Sequence, residues 1–331
     1  MAVMTRSFAT PRFKAVRLAG AAALLAGTFM AGAASAQTVP ETDRPIKLTI
    51  NDWTGQEITT RIMGGVLEEM GYEVEYVQAD YLAQFAGLES GDLTAAMEIW
   101  ETTGKAALQE AVKTGKVEDL GETGLQAKED WWYPAYVAEL CPGLPDWKAL
   151  NDCAELFSSP QTAPKGRYLG GPVTWGGHDD ERVEALGLDF EVMHSGTDAA
   201  LVAEIMSAYQ REKPILAWVY APHWLPMRLD GEWVQFPEYE DACYEDPSWG
   251  TNPDMAYDCG KPFGWVKKVA WTGGEEVWPA AYEAIRNFKL TNDDAGDLIG
   301  KVDVDGMPLQ AAVDGWLKDN KDTWQSWIPK S

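Results

Sequence analysis

The fold is decided by residues 46–100, IKLTINDWTGQEITTRIMGGVLEEMGYEVEYVQADYLAQFAGLESGDLTAAMEIW. Apolar and polar side chains alternate in three short segments, which predicts three strands, in KLTIND, YEVEYVQ and TAAMEIW. Apolar residues recur at helical spacing from Ile58 to Met70, and Gly71 is placed to end that helix. A second helix is expected through YLAQFAGLESGD. This alternation of strands and helices is typical of a parallel sheet in an α/β fold.

This order of elements places two tryptophans at the carboxyl ends of predicted strands. Trp53 comes directly after the first predicted strand, and Trp100 is the last residue of the third. Parallel α/β sheets bind ligands just outside the carboxyl ends of their strands. We therefore expect both side chains to face one crevice.

The rest of the chain predicts a second, smaller α/β lobe, with helices in DWKALNDCAELF, DDERVEALGL and TDAALVAEIMSAYQ. Two segments rich in aromatic residues and proline, EDWWYPAY and LAWVYAPHW, are expected to carry the chain across a hinge. We predict one lobe from residues 44–128 and 222–331 and another from residues 129–221, each a sheet built from βαβ units and flanked by helices. The C-terminal helices are expected to bury Ala312, Trp316, Trp324 and Trp327.

The N-terminus has the pattern of a secretory signal peptide at residues 1–36. Four basic residues precede the apolar stretch LAGAAALLAGTFMAGAA, which ends in Ala34-Ser35-Ala36, so cleavage is expected after Ala36. The alternative, a membrane anchor, is disfavoured because the stretch is rich in alanine and glycine and leads into a cleavage pattern. The protein is therefore expected to be exported and periplasmic.

The charge and the cysteines agree with an exported protein. The formal net charge is −25, and loss of the four basic residues of the signal peptide changes it to −29. Such a surface repels nucleic acid and anionic lipid, so neither is an expected partner. The four cysteines form two sequence-local pairs without CxxC spacing, and in an oxidising compartment they predict two disulfides, Cys141 with Cys153 and Cys243 with Cys259.

Tryptophan is the most informative residue type in this chain. The sequence has 16 tryptophans, where ordinary usage of about one per cent predicts on the order of four. Most are expected in the core, but six fall at strand ends or lobe crossings and are predicted to contact a ligand: Trp53, Trp100, Trp131, Trp132, Trp175 and Trp218. Several electron-rich indole faces together hold a cation that has no N–H donors, and methylated ammonium groups are such cations.

The polar end of such a ligand needs hydrogen-bond donors. Gly176 and Gly177 follow Trp175 just ahead of a predicted helix, which exposes backbone N–H groups to a carboxylate or N-oxide oxygen. His223, five residues after Trp218, is a further candidate donor.

Two carboxylates lie beside candidate tryptophans. Glu129 and Asp52 could pair with a bound cation, although in so acidic a chain both could instead be ordinary surface carboxylates. His178 is expected to have a structural role.

Motifs of catalysis are absent from the sequence: there is no nucleophile elbow, zinc-protease motif, phosphate-binding loop or dinucleotide-binding motif. The chain is therefore predicted not to be an enzyme and to require no cofactor. The loop between the second cysteine pair gathers oxygen ligands of the type that calcium uses, without EF-hand spacing: Asp246, Asn252, Asp254 and Asp258. A structural calcium ion is the one metal that the sequence suggests.

With these features the mature chain resembles the glycine betaine/choline substrate-binding family of ABC importers, the OpuAC type, in NDWTGQEITTRIMGGVLEEMGYEVEY, AAMEIW, WWYPAY, LAWVYAPHW and AYDCGKP. The resemblance implies a monomeric type II binding protein whose two lobes close on a ligand, with an inner-membrane permease and its ATPase as partners. It also implies an aromatic box of Trp53, Trp100 and Trp218, completed by Trp131 or Trp132.

The same resemblance implies roles at the polar end. The Gly176-Gly177 segment and His223 match the positions with which betaine-type members meet a carboxylate. The acid of choline-type members is replaced by Gly55, which disfavours choline. The chain is also similar to trimethylamine N-oxide binders, in which case Glu129 is expected to hydrogen-bond a protonated N-oxide.

Alternatives remain open at this point. Within the class, the ligand could be choline or carnitine. Outside it, a secreted carbohydrate-active protein would also use tryptophan platforms, with a pair of carboxylates as its distinguishing feature. A structural cell-surface protein would bind no small amine.

Overall fold

The computed structural model describes residues 39–330, so the predicted signal peptide at 1–36 lies outside the described residues. Their strands are β1 Ile46–Ile50, β2 Val74–Gln78, β3 Ala95–Trp100, β4 Val117–Pro134, β5 Pro142–Pro145, β6 Gly166–Gly170, β7 Phe190–His194, β8 Ala217–Ala221, β9 Gly231–Trp233 and β10 Phe263–Trp271. Their helices are α1 Thr54–Glu69, α2 Gln84–Ser90, α3 Glu101–Lys113, α4 Val137–Leu140, α5 Asp179–Ala185, α6 Asp198–Gln210, α7 Trp224–Arg228, α8 Asp241–Glu245, α9 Pro279–Asn287, α10 Asn292–Asp303, α11 Leu309–Asp319 and α12 Lys321–Gln325.

The predicted alternation in residues 46–100 is confirmed by β1, α1, β2, α2 and β3. The apolar face of α1 is fully buried, as the helical spacing of Ile58, Ile62 and Val66 requires. One predicted helix differs: Trp147–Phe157 is a 3-10 segment with a break at Cys153, where the backbone leaves helical geometry beside a disulfide. The C-terminal helices bury Ala312, Trp316, Trp324 and Trp327 as expected.

A nine-stranded sheet connects the two halves of the chain, in the order β2-β1-β3-β10-β4-β8-β6-β7, with β9 paired to β4. Strand β1 is parallel to β2 and β3, and β6 is parallel to β7 and β8. Between these parallel ends, β10 and β4 pair antiparallel with their neighbours. Each end is therefore a βαβ-built lobe, and the antiparallel strands join the two lobes of a mixed α/β protein.

Strand β4 crosses from one half to the other. It has 18 residues, pairs with β10 up to Lys128 and pairs with β8 from Lys128 onward. This change of partner supports the predicted start of the second lobe at residue 129, which stays a prediction.

The loop-rich stretch 231–262 lies against the second half of the sheet. Strand β9 pairs with Trp132–Pro134 of β4, the backbone N–H of Gln235 donates to the carbonyl of Pro145 (2.7 Å), and that of Lys261 donates to Asp130 (3.2 Å). The predicted boundaries place this stretch in the first lobe, as part of residues 222–331. We propose that it belongs to the second lobe instead, because these contacts attach it there.

A buried lysine ties the sheet to the C-terminal helices. Lys268 of β10 donates through Nζ to the carbonyl oxygens of Glu122, Arg286 and Phe288, at 2.9 to 3.1 Å. Three acceptors match the three protons of an ammonium group. The cation is thereby satisfied without a carboxylate partner, and the link between α9 and α10 is fixed to β4.

Both predicted disulfides are present, joining Cys141 to Cys153 and Cys243 to Cys259. They lie outside the strands that join the two halves. No helix within residues 39–330 combines the length and the apolar character that crossing a membrane requires.

Reduction of the disulfides should lower the melting temperature while leaving ligand binding intact. The bridges close loops with sequence separations of 12 and 16 residues. Loops of that size contribute about 3 kcal/mol each in the chain-entropy account. Thermal unfolding and calorimetric titration with and without reductant provide the measurement, and a loss of affinity in protein that is still folded would contradict it.

Candidate functional site

A small cavity lies where the carboxyl ends of β1 and β3 meet the crossing strands β4 and β8. Its volume is about 20 Å³, and it is lined by Trp53, Tyr81, Trp100, Thr103, Glu129, Trp175 and Tyr220. That volume is below the range of drug-sized pockets. The cavity therefore suits a ligand of few heavy atoms. Trp53 and Trp100 lie at one crevice, as the sequence predicts.

The five aromatic rings form the walls of a box, which we call the aromatic box: Trp53, Tyr81, Trp100, Trp175 and Tyr220. Neighbouring rings meet edge to face: Trp53 with Tyr81 at 5.5 Å and 75°, and with Trp175 at 5.7 Å and 72°. Tyr220 meets Trp100 at 5.7 Å and 90°, and Trp175 at 6.0 Å and 88°. This edge-to-face packing is a favourable one for aromatic pairs.

One carboxylate holds two walls of the box. The indole N–H groups of Trp53 and Trp100 both donate to Oε2 of Glu98, at 3.2 and 3.1 Å. Glu98 precedes Trp100 by two residues in β3, so both side chains lie on one face of the strand. The hydroxyl of Thr59 in α1 lies 2.6 Å from Oε1 of the same carboxylate.

The walls from the second half are held in the same manner. The indole N–H of Trp175 donates to Asp52 at 2.9 Å, and the hydroxyl of Tyr220 donates to Asp198 at 3.2 Å. Burial raises the pKa of Asp198 to about 7, and the negative charges of Asp303 and Asp52 add to this rise. Because Asp52 follows β1 while Trp175 follows β6, the first of these bonds also joins the two halves.

Glu129 is the one carboxyl group among the residues that line the cavity. Its side chain is 6% exposed, and its Oε2 has no hydrogen-bond partner. Burial raises the pKa of Glu129 to about 8, Lys261 opposes the rise, and Asp179 and Asp130 add to it. At neutral pH this carboxyl is therefore mostly a neutral acid, which can donate a hydrogen bond into the box.

Trp218 was expected as a wall and does not line the cavity. Its ring is buried, and Nζ of Lys261 lies 3.6 Å from its centroid. The protein's own ammonium thus occupies the position over this indole that a ligand cation would take. Tyr220, two residues further along β8 and on the same strand face, takes the place in the box that we expected for Trp218.

Trp131 and Trp132, predicted as a wall, also lie outside the lining of this cavity. Trp131 stacks on Tyr168 at 3.9 Å and donates to Asp179 at 2.8 Å. It shares a strand face with Glu129 but lies two residues further into the second half, about 7 Å along the strand. Trp132 points to the opposite face, where its ring packs on Gly231 of β9.

The expected glycine donors do not line the cavity either. Gly176 and Gly177 have φ angles of +78° and +135°, in the region that favours glycine. A Cβ at Gly177 would lie 2.4 Å from the Trp218 ring. These glycines therefore permit a sharp turn and a close approach, and their predicted role as ligand donors lacks support from the geometry.

His223 lies behind Tyr220 instead of in the lining. Its Nδ1 accepts the N–H of Leu225 at 3.2 Å as the cap of α7, and its Nε2 lies 3.8 Å from Asp303. Burial lowers the pKa of His223 to about 3, so the ring is neutral. The ring packs against Tyr220 (4.6 Å between centroids), and contact of His223 with the ligand stays a prediction.

Tyr81, Thr103 and Tyr220 were not predicted from the sequence, because only tryptophan was considered as an aromatic wall. Tyr220 could have been found from strand alternation with Trp218. The hydroxyl of Tyr81 accepts the backbone N–H of Trp100 at 2.8 Å, a loop contact that has no signature in the sequence.

The four residues suggested for calcium serve local turns. Asp246 accepts from Ser248, Asp258 accepts from the N–H of Asn252, and Asn252 accepts from the N–H of Asp254. Within residues 39–330 no group of three or more His, Cys, Asp or Glu side chains is arranged to hold a metal ion. The calcium ion stays a prediction.

Comparison with known proteins adds independent findings. Residues 44–319 match the family described as the substrate-binding domain of ABC-type glycine betaine transport systems. The chain is 34% identical over 297 residues to a trimethylamine N-oxide-binding protein of Pelagibacter ubique, covering 86% of this chain and 90% of that one. It is 26% identical over 302 residues to the glycine betaine/proline betaine-binding periplasmic protein of Escherichia coli, covering 87% and 89%.

A solved structure has the same fold. The glycine/betaine/L-proline-binding protein of Borrelia burgdorferi aligns with a TM-score of 0.70 at 20% identity, over 87% of this chain and 97% of that one.

Replacing Trp100 with Ala should weaken binding of methylated-ammonium solutes by tenfold or more, because it removes a wall and its contact with Glu98. An indole face contributes about 0.5–2 kcal/mol to a cation, and the lost enclosure adds to this. Trp316→Ala is the matched control: Trp316 is buried away from the cavity, so it should lower the melting temperature and leave affinity within about twofold. Calorimetric titration and thermal unfolding measure both; the reverse pattern would contradict the assignment.

Proposed function

This chain belongs to the family of substrate-binding domains of ABC-type glycine betaine transport systems, and we propose that it captures trimethylamine N-oxide for import, with glycine betaine as the second ligand. The observation that carries the proposal is an aromatic box whose lining holds one neutral carboxylic acid, Glu129. The two parts of the site match the two ends of the ligand.

The walls suit the methyl groups. A trimethylated nitrogen is positively charged and has no N–H donor, so it is held by ring faces and excluded from ordinary salt bridges. The box offers Trp53, Trp100 and Trp175 as indole faces and two tyrosines besides. Three or four such faces at about 0.5–2 kcal/mol each reach micromolar binding with modest further contributions.

The carboxylic acid of Glu129 suits the oxygen of the N-oxide. An N-oxide oxygen is a strong acceptor without a proton, and protonated Glu129 has an unsatisfied Oε2 to offer it. A hydrogen bond to a partly charged oxygen is stronger than one between neutral groups. The relative at 34% identity, named as a trimethylamine N-oxide-binding protein, supports the same choice.

The other solutes fit less well. Choline and carnitine present a hydroxyl group, and choline is a full cation that would favour ionised Glu129, against the burial that keeps this group neutral. The carboxylate of glycine betaine could accept from the protonated acid, which keeps it as the second ligand. A glycoside hydrolase needs two carboxyl groups, whereas the lining of this cavity holds one.

Export and partners form part of the proposal. We infer a periplasmic monomer released after cleavage at Ala36, which delivers its ligand to an inner-membrane permease with its ATPase. Two contacts that join the halves support closure around the ligand: Trp175 with Asp52 at 2.9 Å, and Lys105 with Asp241 at 2.6 Å. Closure would bury the ligand and bring together the surfaces of both lobes.

A titration panel tests the function directly. Trimethylamine N-oxide, glycine betaine, choline, carnitine and dimethylsulfoniopropionate are titrated against the mature protein by calorimetry. We expect the N-oxide to bind most tightly and glycine betaine next. Absence of binding by all five solutes would overturn the proposed function, and a preference for choline would overturn the role of Glu129.

Affinity for the N-oxide should depend on pH through Glu129. The protonated form donates the hydrogen bond, so affinity should be constant below the pKa of about 8 and fall as pH rises above it. The decline approaches tenfold per pH unit if only the acid form binds.

Glu129→Gln is the matched variant for this prediction. Its amide keeps an N–H donor but does not titrate, so binding should persist and the alkaline decline should disappear. Titrations between pH 6 and 9.5 measure both proteins. A decline of the same size in the variant would assign the titration to another group.

A further inference from the structure

The phenol of Tyr81 lines the cavity and is only 2% exposed. Its oxygen accepts the backbone N–H of Trp100 at 2.8 Å, and the hydroxyl of Thr103 donates toward the same oxygen at 3.4 Å. Among residues 39–330, no hydrogen bond has the Tyr81 hydroxyl as its donor. A phenol carries one proton to donate, and a buried donor without an acceptor is destabilising. The structure therefore leaves this proton to be placed.

The phenol oxygen is fixed against the first turn of α3. The ring meets Trp53 edge to face at 5.5 Å, and a Cβ at Gly104 would clash with the phenol oxygen, so glycine permits this close approach. Thr103 is a poor acceptor for the proton, because 3.4 Å exceeds the usual O–H···O distance of about 2.5–3.0 Å. What remains beside the hydroxyl is the cavity that Tyr81 and Thr103 both line.

The phenol keeps its proton across the neutral range. Burial raises the pKa of Tyr81 above its ordinary value, hydrogen bonds from Thr103 and Trp100 oppose the rise, and Glu129 and Glu98 add to it. The hydroxyl is thus a neutral donor at every pH at which the protein is expected to work.

The second tyrosine of the aromatic box differs in this respect. The hydroxyl of Tyr220 donates to Asp198 at 3.2 Å, so its proton is bound behind the wall. The two tyrosines therefore contribute different groups to one cavity: Tyr220 contributes a ring, whereas Tyr81 contributes a ring and an unused donor. Glu129 lines the same cavity and has no hydrogen bond to Tyr81 in the described chain, so each keeps capacity for a ligand.

We infer that Tyr81 is a specificity-determining residue, whose hydroxyl donates to the ligand's oxygen as a second donor beside Glu129. An N-oxide oxygen has several lone pairs and accepts more than one hydrogen bond. The aromatic box alone would hold any methylated ammonium group, and the phenol then selects those solutes that carry an acceptor oxygen close to the nitrogen. The inference rests on the proposed function, because it requires such a solute in the box.

The test compares Tyr81→Phe with wild type on trimethylamine N-oxide and on tetramethylammonium, in which a methyl group replaces the oxygen. The variant keeps the ring and removes the donor. We expect it to weaken the N-oxide tenfold or more and tetramethylammonium less than threefold. Calorimetry measures the first ligand, and ligand-observed NMR titration measures the second. An unchanged ratio of the two affinities in folded Tyr81→Phe would overturn the inference.

Tyr220→Phe is the matched control. It removes the other hydroxyl of the box, whose proton is already bound by Asp198. Its effect on the wall should act on both ligands alike, so the ratio of their affinities should stay within about twofold of wild type. A ratio shifted as far as in Tyr81→Phe would contradict a special role of the Tyr81 proton.

Thr103→Val tests the neighbouring hydroxyl. Valine keeps the shape of threonine and removes its O–H, so the ratio should change by less than threefold if Tyr81 is the donor. A shift in Thr103→Val as large as in Tyr81→Phe would assign the donor to Thr103 and overturn the inference.

A measurement on protein with an intact Tyr81 serves if Tyr81→Phe does not fold or if tetramethylammonium binds too weakly. Tyrosine is labelled with ¹³C at Cζ, and Tyr220→Phe identifies the signal of the other tyrosine in the lining. The N-oxide should move the Tyr81 signal toward the phenolate position, as a donated hydrogen bond does. A Tyr81 signal that stays in place at saturation would overturn the inference, whereas absence of any N-oxide binding by wild type would overturn the proposed function.

Discussion

A buried indole N–H needs an acceptor, and the position of that acceptor decides which part of the ring faces a neighbouring cavity. Around this cavity the acceptors lie behind the walls: Glu98 for Trp53 and Trp100, and Asp52 for Trp175. Donor atoms are thereby directed away from the cavity, and electron-rich faces are left toward it. The small volume, the edge-to-face packing and the choice of ligand all depend on this outward direction of the N–H groups.

The same constraint explains how an acidic chain can build a site that is not simply negative. Burial raises the pKa of both carboxyl groups close to the cavity, Glu98 and Glu129, so neither has to place a full negative charge beside the box. Two indole N–H groups donate to Glu98, whereas Oε2 of Glu129 has no donor. The proposed preference for a dipolar solute over a simple cation follows from a neutral Glu129 in the lining.

The sequence predicted the elements well, because hydrophobic period and glycine placement are local properties. Strands and helices of residues 46–100, both disulfides and the position of Trp53 and Trp100 at strand ends were all readable without a structure. The site was predicted in part. Trp131, Trp132 and Trp218 are tryptophans, like three walls of the box, yet they lie outside it. Strand alternation and their positions along β4 and β8 direct these side chains into the core. Such a difference of two residues along a strand depends on register between distant segments, which composition does not encode.

Lys261 has a consequence for how such proteins diversify. Its ammonium covers the face of Trp218 and is neutralised by Asp179 at 3.2 Å, so an aromatic surface beside the box is kept occupied by the chain itself. The capacity of the cleft is therefore set by the number of uncovered faces and not by the number of aromatic residues. Loss of this one lysine would remove the cation that covers the Trp218 ring, so a single substitution would change the aromatic surface beside the box.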